Sequence, residues 1–378
     1  MLSEAIEVMT EELAQIGNPS SLHNAGRRAR RVVEESREQI AEVFNARPSE
    51  VVFTSGGTEA DNLAVKGLYW ARRGADPARR RVLVTSVEHH AVLDSVHWLQ
   101  QHEDAEPDWL DVDAQGILQP AALAAAIDAG PRWVALVSVM WANNEVGSVQ
   151  PIPALAEAAH VRGIVFHSDA VQAAAQLPVD FAGSGADAVT VTGHKLGGPV
   201  GVGALLLRRG TDPVPVLHGG GQERDVRSGT LDAPAIRAFA TAVIVSAERR
   251  EAEAKRLAVL RDDLIRQVTG AVPGAVLNGP PPGPDRLPGN AHFSFPGCEG
   301  DALLMLLDAR GIACSTGSAC TAGVAQPSHV LLAMGADEDR ARGSLRFSLG
   351  HTSTQEEVDA LGACIGEAVE RARRAAAR

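Results

Sequence analysis

Between Val51 and Leu207, short β-branched or apolar runs alternate with amphipathic helical patterns: VVFTS, VLVTSVE, WVALVSV, IVFHSDA, AVTVT and GALLL, with helices expected from Thr58 and His90. Strands buried on both faces and separated by helix-length segments predict an α/β fold, a mostly parallel sheet covered by helices. In such a sheet, ligand-binding groups belong at the carboxyl ends of the strands. A chain of 378 residues with 45% hydrophobic residues can fill more than one core.

Around Ala240 to Val268 the pattern becomes a long, charged, Ala-rich helix, followed by the Pro/Gly loop from Asn278 to Gly289. AHFSF, a helix over Asp301 to Arg310, a GIACS strand, SLRFSLG and a final helix then predict a smaller C-terminal α/β domain. The expected boundaries are a large domain over 1–250 and a small one over 251–378. The stretch Ser315 to Gly323 (STGSACTAG) reads as a loop whose reactive side chain is Cys320.

The formal net charge of −12 offers no field for holding nucleic acid directly. No stretch of about 18 apolar residues occurs, and no signal-peptide pattern opens the chain, so a cytoplasmic protein without a membrane span is expected. The clusters Arg27 to Arg31 and Arg79 to Arg81 read as solvated helix faces. Four cysteines are too few for a disulfide framework. Cys364, Cys298 and Cys314 read as apolar filler, whereas Cys320 sits among small polar residues.

Several residues suited to catalysis cluster at predicted strand ends. In TGHKLGGP, Lys195 follows an apolar strand and precedes paired glycines, which lets backbone approach a ligand and suits a Schiff-base lysine. In SGGTEADN, a strand turns through two glycines into a helix opened by Thr58, leaving N–H groups to face a phosphate. Asp169 ends a buried strand, where a carboxylate can keep a pyridine nitrogen protonated, and Gln172 follows three residues later. His89 can stack on a ring and move protons, and Asn144 can reach a substrate or ring oxygen. Taken singly, each of these also suits a cap or an ordinary polar contact.

Together SGGTEADNLAVKG, EHHAVLD, NNEVG, SDAVQ, TGHK, HGGGQERDVRSGT, STGSACTAG and SLRFSLG resemble the NifS/IscS-type cysteine desulfurases, class-V aminotransferase relatives of the fold-type I pyridoxal-phosphate enzymes. The resemblance implies a pyridoxal 5'-phosphate cofactor carried on Lys195, Asp169 at the pyridine nitrogen, Gln172 at the ring hydroxyl and His89 stacked on the ring. It places the phosphate at Gly57, Thr58, Thr192 and His194, with Thr230 reaching the phosphate of a second subunit in a homodimer. Asn144 and Arg346 become substrate-binding residues, Arg346 taking the α-carboxylate of L-cysteine. Cys320 becomes the persulfide carrier and, if a cluster binds, an iron-sulfur ligand. The implied acceptors are proteins such as an iron-sulfur scaffold or a tRNA-thiolation enzyme. Related activities on the same fold are selenocysteine lyase and cysteine sulfinate desulfinase. Family members usually begin with a segment resembling YLDHAATTP, which has no counterpart before EAIEVM here, so a cofactor-binding scaffold of impaired turnover is the further alternative.

Overall fold

The computed structural model describes residues 1–317 and 326–376, and its chain divides into two compact units. The first comprises Met1–Leu110, Gln119–Trp141 and Pro151–Arg250; the second comprises Asp111–Leu118, Ala142–Gln150 and the chain from Glu251 onward.

The first unit holds a seven-stranded sheet. Its strands are β1 (Val51–Thr54), β2 (Arg81–Thr85), β3 (Glu106–Leu110), β4 (Val134–Ser138), β5 (Val165–Asp169), β6 (Ala188–Thr192) and β7 (Gly203–Leu207), in the order β1-β7-β6-β5-β4-β2-β3. From β6 to β3 the neighbours are parallel, while β7 runs antiparallel to both β6 and β1. Every residue of β1, β4, β6 and β7 is buried, which explains their continuous apolar runs.

The helices of this unit are α1 (Ser3–Leu13), α2 (Asn24–Val43), α3 (Gly57–Ala75), α4 (His90–His102), α5 (Pro120–Asp128), α6 (Ile152–His160), α7 (Phe181–Ser184) and the first half of α8 (Ala233–Ala271). Helix α3 shows why they pack: Leu63, Ala64 and Leu68 meet Val52, Ala188 and Leu205, and Val65 and Tyr69 meet Val82, Val84 and Val96. Each such large side chain contributes about 1.5–3 kcal/mol on burial.

Strand β3 is one the apolar pattern misses, since EPDWL carries two carboxylates and a proline. In the cluster Arg79 to Arg81 beside it, Arg80 is exposed, as a solvated face has it, whereas Arg79 and Arg81 are half-buried. Arg79 donates to the Val134 carbonyl at 2.7 Å and Arg81 Nε to Asp108 of β3 at 2.8 Å, because the backbone and carboxylate acceptors at these strand starts need donors.

The Arg37 guanidinium donates to both Glu223 oxygens, at 2.8 and 2.6 Å, and to the Val51 carbonyl at 2.7 Å, while Glu223 also accepts the Phe53 N–H at 2.8 Å. Both side chains are buried. Removing one partner strands the other charge, so Glu223→Ala is expected to destabilise the first unit by about 3–5 kcal/mol. A denaturant titration of the two proteins side by side checks this, and an unchanged midpoint would refute it.

The second unit holds an antiparallel sheet of β8 (Val276–Leu277), β9 (Asn290–Ser294) and β10 (Ser344–Ser348), in the order β10-β9-β8. Its helices are the second half of α8, α9 (Gly300–Asp308), α10 (His329–Ala333), α11 (Glu338–Arg342) and α12 (Gln355–Ala376). Leu264 and Val268 of α8, Phe293, Phe295, Leu303, Leu307, Leu361 and Ile365 form its core. The GIACS stretch is not a strand. Ser315 alone bridges to Arg346 of β10, while Ile312 and Cys314 turn into the core instead of extending a ladder.

Cys298 is buried in that core, and Cys314 and Cys364 are half-buried against it, all three as free thiols. Among the described residues, no helix is long and apolar enough to cross a membrane.

Candidate active site

Strand β6 ends at Thr192 and passes into a tight turn over Gly193–Leu196 that carries His194 and Lys195, both exposed. Gly197 closes the turn at φ 79°, a left-handed conformation that favours glycine. Backbone bonds hold it: Gly198 donates to Gly193 O at 2.9 Å and Leu2 to Gly197 O at 2.7 Å. Thr192 Oγ1 lies 3.1 Å from His194 Nδ1. Desolvation, then the nearby Lys195 charge, lowers the His194 pKa, which favours a neutral ring.

Strand β1 leads through Gly56, at φ 144°, into α3, whose N-terminus no side chain caps. A Cβ at Gly57 would come within 2.9 Å of Val171 Cγ2 and 3.8 Å of Thr192 Cβ, so this helix start lies against the turns after β5 and β6. Thr58 is exposed in the first turn. An uncapped helix start with its positive dipole end is suited to a phosphate.

Asp169 ends β5 and is buried. Burial raises its pKa to about 6, against the pull of the Val171 N–H, which it accepts at 2.8 Å, and of the Lys195 charge. Beneath it lies a polar layer that the sequence reading missed. His167 Nδ1 lies 2.9 Å from Ser138 Oγ, and its Nε2 lies 3.1 Å from Thr190 Oγ1 and 3.6 Å from Asp61 Oδ1. Burial pushes His167 down to about 3 and keeps it neutral. Asp61 is raised well above the usual carboxylate range by burial and then by the Asp169 charge. Burial likewise lifts Glu88 to about 8, against bonds from Thr85 and the Met140 N–H. The available signal was a carboxylate among Ala60, Leu63 and Ala64 on the apolar face of α3.

His89 is the N-cap of α4, and its Nδ1 accepts the Ala91 N–H at 3.1 Å, so the ring proton of the neutral form sits on Nε2. Gln172 is half-buried in the turn after β5, and Thr230 is exposed on the loop before α8.

In the second unit, Arg346 of β10 donates from Nη1 to the Asn144 carbonyl at 2.7 Å, and Nη2 lies 3.4 Å from Ser315 Oγ. Its Nε is buried and has no partner among the described residues. Desolvation lowers the Arg346 pKa, with Glu145 opposing it. The turn behind Asn144 is tied internally, as Asn143 Oδ1 accepts the Glu145 and Val146 N–H groups, both at 2.9 Å. Cys320 lies outside the described residues.

Within the first unit, Lys195, the buried Asp169 and the α3 N-terminus offer an amine for an aldehyde, an anion for a ring nitrogen and a cradle for a phosphate. Burial makes a protonated ring nitrogen a favourable partner for the Asp169 carboxylate. These residues fit pyridoxal phosphate.

Residues 1–361 match the aminotransferase class-V family. An IscS-like cysteine desulfurase of Mycobacterium tuberculosis is 59% identical over 98% of this chain and 94% of its own length. The cysteine desulfurase IscS of Dictyoglomus turgidum is 40% identical, over 94% of this chain and 88% of its own length. A solved structure of a NifS-like protein, 32% identical, superposes with a TM-score of 0.88 over 98% of this chain and 96% of that one. The chain belongs to the class-V aminotransferases, in the branch of the IscS-like and NifS-like cysteine desulfurases, enzymes that work with pyridoxal phosphate.

Proposed function

We propose that this chain removes sulfur from L-cysteine and carries it as a persulfide on Cys320, leaving L-alanine. The observation that carries the reading is a buried Asp169 at the end of β5 and Lys195 in the turn that follows the neighbouring β6, in the same unit as an uncapped helix start. Bound pyridoxal phosphate supplies the electron sink that loosens the substrate's Cα proton and its Cβ–Sγ bond. Lys195 holds the cofactor's aldehyde carbon, Asp169 faces the ring nitrogen and Gln172 the ring hydroxyl. Gly57, Thr58, Thr192 and His194 hold the phosphate.

Lys195 takes the Cα proton, and His89, whose neutral ring carries its proton on Nε2, is the group that can give one back. The Cys320 thiolate forms a bond to the substrate's sulfur as the Cβ–Sγ bond breaks. That electron pair stays on Cβ and takes up a proton, which balances cysteine plus thiol against alanine plus persulfide. Asn144 and Arg346 orient the substrate. The persulfide then passes to an acceptor protein, such as an iron-sulfur scaffold or a tRNA-thiolation enzyme. Two copies form the working homodimer, with Thr230 of one reaching the phosphate site of the other, in the cytoplasm.

The experiment is to add L-cysteine to the cofactor-loaded protein while recording the visible absorbance and the alanine formed. A change near 400 nm with stoichiometric alanine supports the reading, and neither would overturn it.

Arg346→Ala is expected to weaken substrate capture, because a guanidinium binds a carboxylate through two parallel bonds. Losing them costs about 2–4 kcal/mol, so kcat/KM should fall by roughly two orders of magnitude. Arg346→Lys should recover part of this, as a point charge lacks the fork. Steady-state alanine assays decide it; an unchanged KM in both variants would place the carboxylate elsewhere.

A further inference from the structure

We propose that Glu145 is a positioning residue for the sulfur hand-over, fixing both flanks of the stretch that carries Cys320; the inference rests on the desulfurase reading above. Ser328 Oγ donates to Glu145 Oε2 at 2.5 Å in a buried contact. On the other flank, a Cβ at Gly317 would come within 2.5 Å of the same oxygen and 3.1 Å of His292 Nε2, so the Gly317 backbone lies directly on this carboxylate. Cys320 falls between these two positions in the sequence.

Glu145 is itself held from behind. Its N–H donates to Asn143 Oδ1 at 2.9 Å and its carbonyl accepts from Asn290 Nδ2 at 2.8 Å. Gly147, at φ 78°, completes the turn against Asn290. His292, whose ring also borders Gly317, is fully buried, and burial lowers its pKa to about 3, so that ring is neutral. A buried carboxylate that serves two chain segments from one rigid turn is a clamp whose removal frees both.

The same turn carries the Asn144 carbonyl that holds Arg346. That contact is made to backbone and does not use the Glu145 carboxylate, which lies instead at Ser328 and Gly317. Ser328 also caps α10 by accepting the Leu331 N–H at 3.2 Å, so the clamp extends into the helix that follows.

The test compares Glu145→Ala, Glu145→Gln and Ser328→Asp in the cofactor-loaded full chain, with three readouts. These are the cysteine-dependent absorbance change, single-turnover persulfide on Cys320 detected by alkylation and mass, and thermolysin cleavage between Gly317 and Ser328. Glu145→Ala should slow persulfide formation about 30-fold and speed cleavage about 10-fold, with the absorbance change and its half-saturation within about twofold of wild type. Glu145→Gln, whose amide oxygen still accepts from Ser328, should return to within about threefold of wild type. Ser328→Asp keeps the helix cap but sets two carboxylates against each other, and should repeat the alanine result even if Glu145→Ala fails to fold.

Persulfide formation near wild type in the folded variants overturns the proposal, as does an absorbance step that slows in parallel with it. A wild-type protein that shows no absorbance change with cysteine refutes the desulfurase reading instead.

Discussion

Lys195→Ala is expected to yield a folded protein that holds no covalent cofactor and forms alanine from L-cysteine at least about 10³-fold more slowly. The side chain is exposed, and its turn is held by the backbone bonds of Gly198 and Leu2, so truncation removes the amine and leaves the scaffold. The phosphate cradle and Asp169 remain, so free cofactor should still bind weakly. The assignment is sharp because the chain has only three lysines, Lys66, Lys195 and Lys255. Lys66 sits 4.5 Å above the Trp98 ring and Lys255 pairs with Glu251 at 2.6 Å. Borohydride treatment followed by peptide mapping should fix the cofactor on the Lys195 peptide of the wild type and nowhere in the variant. An adduct on either of the other two would sink the assignment.

Cys320→Ser separates two stages of the same reaction. In the proposed cycle, binding and Cα deprotonation ask for Lys195, Asp169 and Arg346, whereas breaking the Cβ–Sγ bond asks for a thiolate to receive the sulfur. The variant should keep the spectral response to cysteine while persulfide and alanine fall by about 10²-fold or more, since a hydroxyl is a far weaker acceptor for sulfur. Quantifying alanine and spectral change on one sample tests both halves. Normal alanine formation would direct attention to Cys314, a poor substitute because burial pushes its thiol up to about 11.

The sheet was legible because burial on both faces forces continuous apolar runs, as in VALVS of β4 and AVTVT of β6. Strand β3 was not, since EPDWL borrows its place from pairing with β2 rather than from its own pattern. GIACS failed the other way: its apolar residues serve a core, and the ladder they suggest shrinks to one bridge at Ser315. The residues proposed for the site at strand ends, Asp169 and Thr192, stand out by polarity after an apolar run. Asp61 and Glu145 do not, because a buried carboxylate becomes meaningful only once its partners, His167 for one and Ser328 for the other, are known in space.

The Arg37–Glu223 pair has a second consequence, for how copies of this molecule can meet. Outer strands expose unpaired N–H and C=O groups, an open invitation to strand addition. At β1 that invitation is withdrawn: Glu223 takes the Phe53 N–H, and Arg37 and Arg224 take the Val51 carbonyl. Charged side chains thus do the work of an eighth strand. At the far side, β3 carries Pro107, which has no N–H to offer, between Glu106 and Asp108. With both margins finished in this way, strand addition at either edge is disfavoured, which guards the sheet against open-ended growth.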